Sequence, residues 1–179
     1  RASYILRPVN FPQGTPGRGW RYYKYGNEKI AVISVLGLSG YNRLHLRNPF
    51  NYLPELVARI REQTPYIVID YHALASAEKY SLFYHMDGAV SAIVGTRTRA
   101  VSADAQVLPK GTAVICDAGR CGSINSISGL DVEIELGKFL KQVPERSKDA
   151  WEGLEIQGVC IEILPDGKAS SIEHIRFPC

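Results

Sequence analysis

Two short strings carry the side chains best suited to chemistry. The first is Asp70-Tyr71-His72, an acid and an imidazole at the end of an apolar run, Tyr66–Tyr71. A histidine one residue past a buried strand beside a carboxylate suits a metal ligand with a supporting acid; the bland account is a hydrogen-bonded core histidine. The second is Gly95-Thr96-Arg97-Thr98-Arg99, two guanidinium groups at i and i+2 after another apolar run. Such a pair can form an anion clamp, because guanidinium stays charged and presents a fork of donors to phosphate. It can equally be two surface arginines or arginines answering acidic neighbours. His45, His85 and His174 fall in a loop, a helix and the last hairpin, so none converges on His72 by position. Trp20-Arg21-Tyr22-Tyr23-Lys24-Tyr25 interleaves rings and cations, as a single-strand binding platform does; a half-buried strand has the same composition and is the favoured account. Gly14-Thr15-Pro16-Gly17-Arg18-Gly19 lacks the Lys-Ser/Thr end of a phosphate-binding loop. Cys121, in Gly119-Arg120-Cys121-Gly122, has no histidine near in sequence to activate it.

The elements that must position these groups are legible from pattern. Trp20–Tyr25 and Lys29–Leu36 read as two strands joined across Gly26-Asn27. Leu53, Leu56, Val57 and Ile60 fall at i, i+3, i+4, i+7 within a helix over Asn51–Arg61, with Pro54 in its first turn. Glu78–Met86 reads as a short helix, Ala89–Val94 and Thr112–Cys116 as strands, and Asp131–Leu140 as a helix with Ile134, Leu136 and Leu140 inward. Leu154–Leu164 and Ala169–Arg176 close a hairpin over Pro165-Asp166-Gly167-Lys168. Strands alternating with helices, then a hairpin, give a layered α/β fold with mixed sheets. Polar loops at 72–78, 95–104 and 117–129 follow strand ends, where open α/β sheets place their sites.

The 179 residues suit one domain, expected over 1–179, with 45% hydrophobic and 22% charged residues as in ordinary globular chains. No apolar run approaches the ~18 residues of a membrane span, and no signal peptide is read, so a cytoplasmic protein is expected. The opening Arg1-Ala2-Ser3-Tyr4 reads as the start of a fragment. Four cysteines without paired spacing are read as free thiols. A net charge of +3 is too mild to argue for nucleic acid, which is disfavoured as a partner. The distribution is uneven: residues 1–61 hold ten Lys/Arg against Glu28 and Glu55, and the remainder is net acidic. That leading third must face something acidic: a partner, a ligand or a segment outside this chain.

Several strings taken together resemble the YmdB-type bacterial metallophosphoesterases. They are Arg7-Pro8-Val9-Asn10-Phe11-Pro12-Gln13-Gly14-Thr15-Pro16-Gly17-Arg18-Gly19, Asp70-Tyr71-His72-Ala73, Asp87-Gly88-Ala89-Val90-Ser91-Ala92-Ile93-Val94-Gly95-Thr96, Ala103-Asp104 through Leu108-Pro109-Lys110-Gly111-Thr112-Ala113, and Lys168-Ala169-Ser170-Ser171-Ile172-Glu173. Order and spacing hold over essentially the whole chain, which corresponds to the C-terminal two-thirds of the family's length. The resemblance implies a calcineurin-like four-layer α/β/β/α sandwich with mixed sheets. It also implies a dinuclear centre of a divalent metal, iron or manganese, that activates water against a phosphodiester such as a cyclic nucleotide. The family's N-terminal part, with an Asp, a Glu, Asn residues and a catalytic Asn-His pair, is not among these residues. His72 stands at a metal-ligand position, supported by Asp70. The family's Gly-Thr-His-Thr-His string has arginine at both histidine positions here, Arg97 and Arg99. Arginine offers no lone pair and stays protonated, so it cannot replace imidazole as a ligand. The expectation is therefore a metal-deficient member, catalytically weak or silent. Arg97 and Arg99 would then serve as anion-binding residues for a small phosphate ester or nucleotide, or for a partner. Two alternatives stay open, an active metal-dependent phosphodiesterase and a non-catalytic interaction module, and so does homo-oligomer formation.

Overall fold

The computed structural model describes residues 4–41 and 43–179; the fragment-like opening up to Ser3 lies outside them. Strand β1 (Trp20–Tyr25) turns through Gly26-Asn27 into β2 (Glu28–Leu36), antiparallel, with Tyr25 opposite Glu28. Helix α1 spans Pro49–Arg61, capped by the Asn48 side chain, which accepts from Phe50 N. Its start lies two residues earlier than the periodicity predicts, so Pro49 takes the N-terminal position and Pro54 sits inside the helix rather than in its first turn. Leu53, Leu56, Val57 and Ile60 are all buried, as their spacing requires. Then follow β3 (Ile67–His72), α2 (Ser76–His85), β4 (Ala92–Thr96), β5 (Gln106–Val107), β6 (Ala113–Ile115), β7 (Cys121–Ser123), α3 (Val132–Lys141), β8 (Leu154–Ile163) and β9 (Ala169–Pro178). His72 is the last residue of β3, not one beyond the strand.

Six strands form one sheet in the order β1-β2-β3-β4-β6-β5, parallel from β2 through β6 and antiparallel at both edges. Strands β7, β8 and β9 form a second, antiparallel sheet. Alternation along β3 sends Ile67, Ile69 and Tyr71 to one face, where they join Leu53, Ile60, Leu82 and Phe83 in the main core under α1 and α2. Val68, Asp70 and His72 take the other face. There Ala92 and Ala113 pack with Ala169, Ile161 and Ile172 of the hairpin sheet. Helices, sheet and sheet thus form successive layers. Because β2, β3, β4 and β6 run parallel, the segments after Leu36, His72, Thr96 and Ile115 leave from the same edge.

Helix α3 departs from expectation. Leu136 and Leu140, expected inward, are 48% and 75% exposed, and none of the helix's residues is buried. Periodicity identifies an apolar stripe but not what covers it.

Candidate functional site

At the shared strand edge, His72, Thr96 and Asp70 form a chain. Thr96 Oγ1 donates to Asp70 Oδ1 at 3.1 Å and lies 3.1 Å from His72 Nδ1. The carboxylate can only accept, so the single hydroxyl hydrogen goes to Asp70 and His72 Nδ1 carries the proton that Thr96 accepts. His72 Nε2 keeps its lone pair. Burial lowers the His72 proton affinity, and the Arg97 charge lowers it further against the opposing pull of Asp70. Burial raises Asp70, partly offset by the Thr96 hydrogen bond.

Arg97 and Arg99 leave β4 on an unusual backbone, with φ of 128° and 60°. Non-glycine residues seldom adopt either value, and such strain persists only where the surroundings over-determine it. They do so here. Asp117, buried at the end of β6, accepts from Thr98 N at 2.7 Å and from Gly119 N at 2.9 Å. Lys79 of α2, also buried, donates to Thr96 O at 3.0 Å and Cys116 O at 2.6 Å, with Asp117 Oδ2 at 3.9 Å. Burial lowers the Lys79 proton affinity, and the Asp117 charge works against that. Gly95 is obligatory: a Cβ there would stand 2.0 Å from Cys116 O. The loop after β2 is fixed by Glu78, which accepts from Leu38 N at 2.6 Å and Ser39 N at 3.1 Å.

This backbone sends the two arginines apart, so they do not form the single clamp that their spacing allows. Arg97 Nη1 donates to the Tyr41 hydroxyl, its guanidinium carbon 5.0 Å from the Tyr41 ring centre. Tyr41 and His72 are themselves neighbours, ring centres 6.4 Å apart. Arg99 reaches Ser128 O at 3.4 Å and borders a cleft of about 290 Å³ with Arg120, Cys121 and Trp151. Arg120 donates to Arg99 O at 2.8 Å and Ser123 O at 2.9 Å. Pattern reading missed Tyr41, Lys79, Asp117 and Arg120. Thr96 and Arg120 neighbour the candidate residues Arg97 and Cys121 in sequence, but nothing local marks them, Tyr41, Lys79 or Asp117 as parts of one site.

The remaining candidates lie elsewhere. His85 Nε2 pairs with Phe50 O at 2.8 Å and His174 Nε2 with Ser102 O at 2.9 Å. All four cysteines are free; burial and Asp104 push the Cys116 thiol up to about 12. Among the described residues no three His, Cys, Asp or Glu side chains gather as a metal-ligand set. Among the described residues the polar groups around His72 are the Thr96 hydroxyl, the Asp70 carboxylate and the Arg97 guanidinium, and the last has no lone pair and repels a dication. The residues present therefore do not fit the divalent metal that the family implies.

No helix among the described residues is long and apolar enough to cross a membrane. Comparison with known proteins gives a consistent result. The chain is 41% identical over 172 residues to a Bacillus subtilis protein named 2′,3′-cyclic-nucleotide 2′-phosphodiesterase, covering 96% of this chain and 64% of that one. Its fold superimposes on the crystal structure of a hypothetical protein from Thermus thermophilus with a TM-score of 0.87 at 32% identity, covering 97% of this chain and 67% of that one. It also superimposes on a Mycoplasma pneumoniae structure described as a novel phosphatase, with a TM-score of 0.86 at 30% identity, covering 97% and 63%. The chain thus spans just under two-thirds of the curated Bacillus relative it matches. The model of the YmdB-like protein family matches residues 1–175, and with the layered mixed-sheet architecture above, this chain belongs to that family and carries its metallophosphoesterase fold.

Proposed function

We propose that this chain is a metal-deficient, catalytically weak or silent member of its phosphodiesterase family, which holds a phosphate-bearing ligand, a nucleotide in the first instance, at the strand-end corner. One observation carries the reading: Arg97 donates to the Tyr41 hydroxyl and the Tyr41 ring neighbours His72, which brings a guanidinium charge to the imidazole corner. A permanent cation there opposes a second one. Two unit charges ~4 Å apart at an effective dielectric of ~20 interact by roughly 4 kcal/mol. The same charge favours a phosphate oxygen, and Arg99 and Arg120 border the adjoining cleft with further donors. The ligand would be oriented by Arg97 and Tyr41.

The second reading, an active metal-dependent phosphodiesterase, draws on the identity with the named Bacillus enzyme. Metal analysis by mass spectrometry and turnover of a 2′,3′-cyclic nucleotide, both on the full-length protein, separate the two. The expected result is substoichiometric iron and manganese without turnover in the unmodified protein, and regained metal in the Arg97→His/Arg99→His variant. Stoichiometric metal with turnover before any substitution would overturn the proposal.

A further inference from the structure

The strand-end corner leaves unused both the basic leading third and the aromatic-basic string of β1. Both gather at the β1 edge of the large sheet. The Pro/Gly-rich loop 7–19 folds back over that edge: Arg7 N donates to Arg18 O at 2.9 Å, Val9 N to Ser34 O at 2.7 Å, and Ser34 N to Gly19 O at 3.0 Å. Asn10, fully buried, clamps the loop by donating to Leu36 O at 2.8 Å and Arg47 O at 3.2 Å, and by accepting from Leu36 N. The result is a cleft of about 470 Å³ bordered by Arg7, Arg18, Arg21 and Arg47. A second hollow of about 420 Å³ shares Trp20 and Tyr52 with the first and adds Arg59. The two hollows adjoin at those rings, and five guanidinium groups border them, a paired groove along this edge.

Among the described residues no carboxylate borders either hollow, and Glu28 and Glu55, the leading third's two acids, are not in the lining. Arg7, Arg18 and Arg47 form no ion pair with a described residue. Arg7 is anchored by donating from Nη1 to Pro8 O at 2.7 Å. Arg47 is held by stacking 3.9 Å from the Tyr52 ring centre and by donating to Val9 O at 3.1 Å. Like charges brought together with no acid between them point to a polyanion. The groove is open along two joined hollows rather than enclosed, which suits an extended chain better than a compact anion. Rings beside cations suit unstacked bases, which a duplex does not offer.

We infer that this groove binds single-stranded nucleic acid, phosphates on Arg7, Arg18 and Arg59, and bases against Trp20 and Tyr52. The mild whole-chain charge argues otherwise only as an average, since the fold brings five of the leading third's arginines to the lining of these two hollows. The groove borrows no residue from the corner around His72, so the two readings stand or fall separately.

Fluorescence anisotropy with a labelled oligouridylate of about twelve nucleotides tests the inference on the 179-residue chain. Binding should weaken with salt, with a log–log slope of about 0.7 per phosphate contacted. Arg18→Glu/Arg59→Glu should weaken it more than about tenfold, and Arg18→Lys/Arg59→Lys should retain most of it. Trp20→Leu should cost about tenfold with the salt slope unchanged, because it removes stacking and no charge. Circular dichroism checks that each variant folds; if the glutamate pair does not, Arg18→Ser/Arg59→Ser and the salt slope of the unmodified chain decide. Absent or salt-independent binding would overturn the inference. So would unchanged affinity in the folded charge variants, competition by pyrophosphate as effective as by unlabelled oligonucleotide, or equal affinity for a duplex.

Discussion

His72 has two kinds of neighbour, and they pull its proton affinity in opposite directions. Burial and the Arg97 charge favour the neutral ring, whereas Asp70 favours the cation. Replacing Arg97 with Gln removes a depressing charge while leaving the burial, so the imidazole should titrate higher than in the unmodified protein. An NMR pH titration of the ring C–H signals would show this; an unmoved or lower midpoint would mean that the guanidinium does not act on His72. The sign for stability follows. A histidine depressed in the folded state contributes fully above its unfolded value of about 6.5 and loses that contribution as pH falls toward the folded value. Acid should therefore destabilise the unmodified protein more than Arg97→Gln across that window. Residue type alone reveals that Arg97 and Arg99 cannot ligate a metal. It does not reveal where their side chains go, because that depends on two positive φ angles that arginine does not favour.

Among the elements, α2 holds the site from beneath. Lys79 ties the ends of β4 and β6 through Thr96 O and Cys116 O, and Asp117 fixes the backbone between the two arginines. Lys79→Met would leave a buried carboxylate without its cation and two carbonyls without their donor. The expected loss is about 3–5 kcal/mol, measured as a lowered urea midpoint with an unchanged slope. A loss under about 1 kcal/mol would mean that the pair is dispensable. The lysine escaped pattern reading because in sequence it is one charge in a short helix, and only docking of α2 buries it. The contrast between α1 and α3 has the same origin. Both show apolar residues at helical spacing, but α1 lies on the sheet and buries its stripe, while Leu136 and Leu140 of α3 stay exposed.

For the molecule as a whole, the question is whether the corner still holds a ligand. Any ligand that binds only the folded state stabilises it by mass action, ~2.7 kcal/mol at a hundredfold its Kd. A thermal-shift series with cyclic and linear nucleotides should raise Tm for the unmodified chain, and less for Arg97→Gln. No shift with any nucleotide would favour a plain interaction module. The β1 groove could mask this result, so the series belongs alongside Arg18→Glu/Arg59→Glu, which leaves the corner intact.

The amino-acid sequence by itself determined the β1–β2 hairpin, the buried stripe of α1, the closing hairpin and the mixed α/β layering. Each rests on spacing or turn chemistry within a few residues, and periods of two and 3.6 survive into the fold. It also placed His72 beside a strand end and two arginines, Arg97 and Arg99, just past another. Only the tertiary structure decided that Arg97 turns to Tyr41 while Arg99 turns to Ser128, that Lys79 and Asp117 hold the strand ends around them, and that loop 7–19 brings four arginines of the basic third to one edge. The physical reason is common to all three. Each depends on segments far apart in the chain meeting at strand ends, where contacts between elements, not local propensity, set the direction of a side chain.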